Sequence, residues 1–306
     1  MFGKSVVTDM ISRSAESPED RRRFLRNAGV AGLGVVGATA LTGTESAMAA
    51  GPSDGSILNF ALNLEYLEAE FYSYASYGRG LPDRLTTGKG KRGGVTGGRQ
   101  VNFSTPAIRN YAREIANDET THVKFLRGAL GSARVSRPKI DIQNSFTAAA
   151  RAAGLVGANQ TFDPYANENN FLLAAFLFED VGVTAYKGAA PLIDNKTYLE
   201  AAAGILAVES YHAGIVRTSL YAKGLYSQAR KLSAARDSLD GRKNSDQGIG
   251  NGDVSNLVPA SGNAIAFSRK PSQVLNIVYL TPRKRAKGGF FPAGVNGSIN
   301  YSGANA

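Results

Sequence analysis

The chain has 306 residues, 43% of them hydrophobic and 20% charged, and carries a net charge of +10. It holds no cysteine, which excludes disulfides, zinc–thiolate sites and thiol catalysis. Its two histidines, His122 and His212, must carry any imidazole chemistry.

Residues 1–49 have the layout of a targeting segment. A polar stretch ends in Asp20-Arg21-Arg22-Arg23-Phe24-Leu25-Arg26, a twin-arginine export pattern with Asp where Ser or Thr is usual. Ala28 to Leu41 follows, uncharged and rich in Gly, Ala and Val, too short and too weakly apolar to span a bilayer stably. Ala47-Met48-Ala49 supplies the small-x-small cleavage pattern and places the mature start near Ala50; an uncleaved membrane anchor is the alternative. The expected destination is periplasmic or extracellular, reached in a folded state through the twin-arginine export machinery, often with a cofactor already inserted.

From Ser56 onward, four stretches repeat apolar residues at helical spacing. The first, about 56–77, aligns Leu58, Ala61, Leu62, Glu65, Ala69, Tyr72 and Ser76 and ends at Gly78. The second opens at Thr105-Pro106, a cap followed by proline at the first helical position, and closes at Gly131. Its stripe is Ile108, Ala112, Ile115, Glu119, His122, Leu126 and Ala129. The third, 167–190, aligns Leu172, Phe176, Glu179, Val183 and Tyr186 before Pro191. The fourth enters at Asp194 or Asn195, runs to Gly224, and aligns Ala202, Ile205, Leu206, Glu209, His212, Val216 and Leu220. Between the first two lies 78–104, dense in Gly, Lys and Arg, which reads as a flexible excursion. A long connection, 132–166, with a short helical piece near 146–155, joins the second to the third. Such a crossover suits a four-helix bundle whose second and third helices run parallel.

Each stripe carries a glutamate about halfway along. An unpaired buried carboxylate costs several kcal/mol, whereas carboxylates that share a cation are compensated. Glu119 with His122, and Glu209 with His212, stand three residues apart, so each pair faces one way on its helix and offers an oxygen and a nitrogen to one ion. Glu65 and Glu179 complete the ligand set of a dinuclear carboxylate site. Four carboxylates balance two divalent ions, two Fe or two Mn, with Glu119 and Glu209 bridging and Glu65 and Glu179 terminal. Asp118 or Asp180 is the expected acceptor for the far nitrogen of a histidine. Glu68, one turn after Glu65, is the competing first-helix ligand; otherwise Glu68 and Glu70 face solvent or stand behind the ligands. Tyr72 and Tyr186 either flank the metals or pack in the core.

The run from Asn63-Leu64-Glu65-Tyr66-Leu67-Glu68 through Tyr72 resembles the opening helix of ferritins and bacterioferritins. The two Glu-x-x-His motifs are similar to the bacterioferritin pattern over all six ligands, and on this resemblance Tyr72, seven residues after Glu65, favours Glu65 over Glu68. Residues 267–279 and 288–297 are similar to the tail of desiccation-related ferritin-like proteins of plants and bacteria, whose bacterial members often carry twin-arginine signals. The resemblance implies an all-α, ferritin-like four-helix bundle over about 50–227. The Gly-rich loop and long tail argue against a multi-subunit storage cage, and a smaller homo-oligomer stays open.

The extension, 228–306, begins polar (237–263) and turns to short apolar runs such as Val274 to Leu280, read as irregular or β-like structure packed on the bundle. Arg283-Lys284-Arg285-Lys287 reads as solvated surface, and without a nucleic-acid-binding motif no nucleic acid partner is expected. Three functions fit the expected metal site. It is a redox enzyme oxidising Fe(II) or reducing O2 or peroxide, a dimanganese catalase, or a non-enzymatic metal-binding stress or envelope protein.

Overall fold

The structure is a computed structural model that describes residues 51–241 and 245–305. The export pattern read at 1–49 lies outside the described residues. Among the described residues seven α-helices follow in order: α1 (Asp54–Tyr77), α2 (Pro106–Leu130), α3 (Asn144–Ala152), α4 (Glu168–Ala189), α5 (Lys196–Ala222), α6 (Tyr226–Asp240) and α7 (Pro271–Val278). The four long stripes form α1, α2, α4 and α5, and the fold is the all-α, ferritin-like bundle expected. No helix among the described residues is long and apolar enough to cross a membrane.

The helix boundaries have local causes. The Ser53 side chain caps α1, and Gly78, at φ 69°, ends it with a left-handed turn. Asn167 caps α4 through the amide of Asn170, and Asn195 caps α5 through Thr197 and Tyr198. Thr105 does not cap α2 with its side chain. Its hydroxyl instead donates to Glu168 at the start of α4, which also accepts from the Thr105 and Ser104 amides, tying two bundle helices together at one end. Asp54 accepts from the amides of Asp194 and Asn195 at 2.9 and 3.0 Å and holds the tight α4–α5 turn against the start of α1.

Packing is most extensive within the pairs α1–α2 and α4–α5. α4 is buried on nearly every side because more than the bundle covers it. Phe146 of α3 and Phe290 of the extension meet Phe178 of α4 with ring centroids 4.9–5.2 Å apart. Each ring so buried contributes about 2–3 kcal/mol relative to exposure.

The two long connections are anchored. The 78–104 excursion is pinned against the α2–α3 connection by a parallel pair of two-residue strands, β1 (Val95–Thr96) and β2 (Ile140–Asp141), and by the Arg137 side chain, which donates to the Gly93 carbonyl and also ion-pairs with Glu70 of α1. Gly93 lets the backbones touch: a side chain there would overlap the Lys139 main chain. The extension also differs in part from expectation. It is irregular over much of its length, but residues 226–240 and 271–278 are helical, so α6 runs through the boundary drawn at 228. The run Val274 to Leu280 looks strand-like by composition, yet Pro271 at the first helical position and the Gln273 side chain back-bonding to the Lys270 amide start a helix there.

Candidate metal centre

The bundle brings all six predicted ligands together at mid-height, each at most 8% exposed. Their donor atoms fall into overlapping groups, within 4.8 Å of one another in each. Glu65, Glu119, His122 and Glu209 form one; Glu119, Glu179 and His212 form another; and Glu68, Glu179 and Glu209 form a third.

The arrangement has an internal two-fold logic. Glu65 on α1 and Glu179 on α4 each precede a tyrosine by seven residues, and each tyrosine crosses to the other helix. The Tyr72 hydroxyl donates to Glu179 and the Tyr186 hydroxyl donates to Glu65. Glu119-x-x-His122 on α2 faces Glu209-x-x-His212 on α5, with the imidazole centroids 6.4 Å apart. His122 Nδ1 lies 3.2 Å from Glu65 and 3.5 Å from Glu119, and His212 Nδ1 lies 3.0 Å from Glu119. These atoms are near enough to attract but are not aligned as hydrogen bonds. Each of the six residues retains a buried donor atom without a hydrogen-bond partner. Buried polar atoms are nearly always satisfied, so one such orphan on every residue of a convergent set marks a ligand-binding arrangement.

The symmetry breaks in two places. Asp118, just before Glu119, accepts from His212 Nε2 at 3.1 Å, and its side chain is 43% exposed, so this pair stands at the solvent edge. The equivalent position before Glu209 is Val208, and among the described residues no carboxylate stands on His122 Nε2. Asp118 thus fills the expected acceptor role and Asp180 does not: Asp180 faces the other way, into Arg217 and Arg236. The second break is at the third residue after each terminal glutamate, which is Glu68 on α1 but Gly182 on α4.

Of the two defaults read for Glu68 and Glu70, facing solvent or standing behind the ligands, the first does not hold: both are buried. Glu70 is fully buried, ion-paired to Arg137 and accepting from the Leu81 amide, so it serves the loop and not the site. Glu68 joins the site beside Glu65, and the choice between them was too narrow. Its sequence signal was the i+3 spacing from Glu65, which alone does not distinguish a ligand from a surface residue.

In the metal-free chain, protons supply positive charge to the cluster. Burial disfavours the charged form of His122, but the carboxylates of Glu65 and Glu119 outweigh it and push the imidazole up to about 11. His212 rises to about 10, burial again being overcome, here by Asp118 and Glu119. Burial lifts Glu65 to about 7 and Glu179 to about 8. Burial, with neighbouring carboxylates adding, lifts Glu68 and Glu209 well above the usual carboxylate range. Glu119 alone is lowered, because the two imidazoles beside it outweigh its burial. Divalent ions would replace these protons and leave the imidazoles neutral.

The ferritin-like domain family model matches residues 53–222. The chain is 31% identical over 264 residues to a desiccation-related protein of Craterostigma plantagineum, covering 80% of this chain and 83% of that one. It is 28% identical over 266 residues to a ferritin-like catalase of Nesocodon mauritianus, covering 81% and 85%. No solved structure is similar enough to count as a match.

Proposed function

This chain belongs to the ferritin-like domain family, and from that membership and the geometry above we propose that it is a dinuclear Fe or Mn protein that consumes peroxide. The observation that carries this reading is the set of orphaned donor atoms, one on each of Glu65, Glu119, His122, Glu179, Glu209 and His212. Glu65, Glu119, His122 and Glu209 would hold one ion, and Glu119, Glu179 and His212 the other, with Glu119 common to both. Carboxylate oxygens with only two imidazoles suit Fe or Mn by ligand type.

Two such ions, when bound, supply two-electron redox chemistry toward dioxygen or peroxide. The chain's own residues do the rest. Asp118 fixes the ring of His212 by holding its far nitrogen. Tyr72 and Tyr186 hold the terminal carboxylates in place from the opposite helix. Burial of the whole cluster restricts access to small molecules and keeps bulk water out. The name of the catalase relative favours disproportionation, in which two peroxides become dioxygen and two waters, over Fe(II) oxidation. The name of the desiccation-related relative favours a second reading, a stress protein that retains metal without turnover. We also propose export by the twin-arginine route, on the pattern Arg21-Arg22-Arg23-Phe24-Leu25-Arg26; Arg21→Lys with Arg22→Lys should hold the chain in the cytoplasm.

The test is elemental analysis of the purified protein and of a His122→Ala, His212→Ala double variant, with peroxide consumption assayed without added iron. About two Fe or Mn per chain, absent from the double variant, is the expected result for a dinuclear bundle site. Metal content unchanged in the variant would overturn the site. Metal lost together with no peroxide consumption by the wild type would leave the retention reading.

A further inference from the structure

The fold gathers basic residues that stand far apart in the sequence. No Asp or Glu occurs between Asp83 and Glu114, between Glu119 and Asp141, or within residues 254–306. Parts of all three acid-free stretches lie side by side. The Lys89 amide donates to the Arg134 carbonyl, its own carbonyl accepts from the Ser136 amide, and further on β1 pairs with β2. The extension docks on this ribbon. Asn296 bonds both main-chain groups of Lys91 and the Ser136 carbonyl, and the Asp141 amide donates to the carbonyl of Phe290. Gly90, at φ 82°, admits the contact, since a Cβ there would overlap the Asn296 side chain.

The ribbon carries Lys89, Lys91, Arg92 and Lys139 as exposed side chains, and Lys287 is exposed on the docked segment. Arg92 is paired with Asp83; among the described residues no carboxylate pairs with any of the four lysines. Asp141, the acid inside the ribbon, accepts from the Gln143 and Asn144 amides and from the Asn144 side chain at the start of α3. Like charges held this close repel one another, and an anionic surface relieves that repulsion. Arg283, Lys284 and Arg285 are exposed just before the docked segment. Lys284 Nζ stands 5.5 Å from the centroid of the Tyr301 ring, which is 55% exposed. A tyrosine has an apolar ring and a polar tip, and beside lysines it suits the headgroup level of a bilayer.

We propose that this ribbon, with residues 283–287 and Tyr301, is the face by which the chain docks on an anionic phospholipid membrane. The basic charge alone fits any polyanion; the exposed aromatic ring among the lysines favours lipid. The preference for lipid over nucleic acid rests also on the proposed export, which takes the chain across a membrane. Binding to lipid requires neither the export signal nor the metals, so it is measured separately from both.

The experiment is sedimentation of the full chain with phosphatidylcholine vesicles, with and without phosphatidylglycerol, at about 0.1 M salt. Residues 1–49 are present in every variant. Wild type should prefer the anionic vesicles and lose that preference as salt is raised. The Lys89→Ala, Lys91→Ala, Lys139→Ala variant should bind them about a hundredfold more weakly, at about fivefold per lysine. Arg109→Ala with Arg113→Ala and Lys124→Ala removes the same charge from exposed positions of α2 and should cost less than fivefold. Lys89→Arg, Lys91→Arg, Lys139→Arg keeps the charge and should bind as wild type; a loss there would mean that the lysines act through structure, and the proposal falls. Equal losses in the two alanine variants, or a wild type that binds anionic vesicles no better than neutral ones, overturn it. Duplex DNA bound more tightly than the vesicles, with the same sensitivity to the three lysines, would make nucleic acid the partner and also overturn it.

Discussion

Two buried clusters of charge meet on α4, at consecutive residues, and they are built on opposite rules. Glu179 points into the carboxylate–imidazole cluster. Asp180, turned about 100° around the helix, points into a network of three arginines and three aspartates. Arg217 of α5 and Arg236 of α6 both reach Asp180, at 2.7 and 2.9 Å. Arg236 also pairs with Asp246, while Arg269 in the extension pairs with Asp246 at 2.8 Å and Asp240 at 2.6 Å. Arg236 further lies over the Phe176 ring, 4.4 Å from its centroid. This network carries equal numbers of opposite charges and joins α4, α5, α6 and the extension. The carboxylate–imidazole cluster has an excess of carboxylates, and each of its six predicted ligands retains an orphaned atom. The network also retains buried atoms without a hydrogen-bond partner, on Asp180, Arg217, Arg236 and Asp240, so what separates the two groups is charge: one is balanced within the protein and the other is not.

The largest test of that contrast is Asp180→Ala. It leaves Arg217 and Arg236 buried with one carboxylate fewer and should cost about 3–5 kcal/mol in a urea melt. A loss well under 1 kcal/mol would mean that the network is not the charge-balanced element described.

Next in size is the response to metal. Mn2+ at a hundred times its dissociation constant should stabilise wild type by about 2.7 kcal/mol for each site filled. The metal-free chain should also respond to pH. Glu65 and Glu179 hold protons in the folded state up to about 7 and 8, above their unfolded range. Stability should therefore fall as pH rises from about 5 to about 8. His122 and His212, raised to about 11 and 10, act in the same direction above about pH 6.5. Thermal melts of metal-free and Mn-loaded protein across that range check the sign, and a metal-free melting temperature that climbs with pH would contradict it.

Asp118→Ala should weaken metal binding about 10- to 100-fold by loosening His212. Because Asp118 is half-exposed, metal-free stability should barely move. The smallest effect expected is that of Glu209→Gln in the metal-free chain. Removing one of several mutually repelling carboxylates should be neutral or stabilise by up to about 1 kcal/mol, the reverse of Asp180→Ala.

These two regions were not equally legible in the sequence. The carboxylate–imidazole cluster was visible because its residues repeat at helical spacing within apolar stripes: a glutamate at mid-stripe in each helix, and a histidine three residues after two of them. Periodicity conveys which face a residue takes, and the face was enough. Asp180, Arg217, Arg236 and Arg269 show no such regularity. Their partners lie 37 to 56 residues away for Asp180, and Arg269 is in a segment whose path over α4 no local pattern announces. Asp180 was accordingly offered, as an alternative to Asp118, for a role at the histidines that Asp118 fills. Glu68 was a different difficulty. Its spacing was legible, but the space that admits it comes from Gly182 on a helix more than a hundred residues later. The α7 helix was misread because its apolar run is short and rich in Val and Ile; the Pro271 start signal and the contacts with α4 and α6 decide it.

The extension closes on the first helix. Asn296 donates its amide to Asn63 and receives the Asn63 side chain in return, at 3.0 and 2.8 Å, and its own side chain reaches Lys91 and Ser136. Asn63 is the residue two before Glu65. During synthesis, therefore, α1 is among the first folded segments to emerge and among the last to acquire all its neighbours. Until Asn296 is in place, the bundle has an open seam beside Glu65. The completion of α1 thus waits on a residue 233 positions further along the chain.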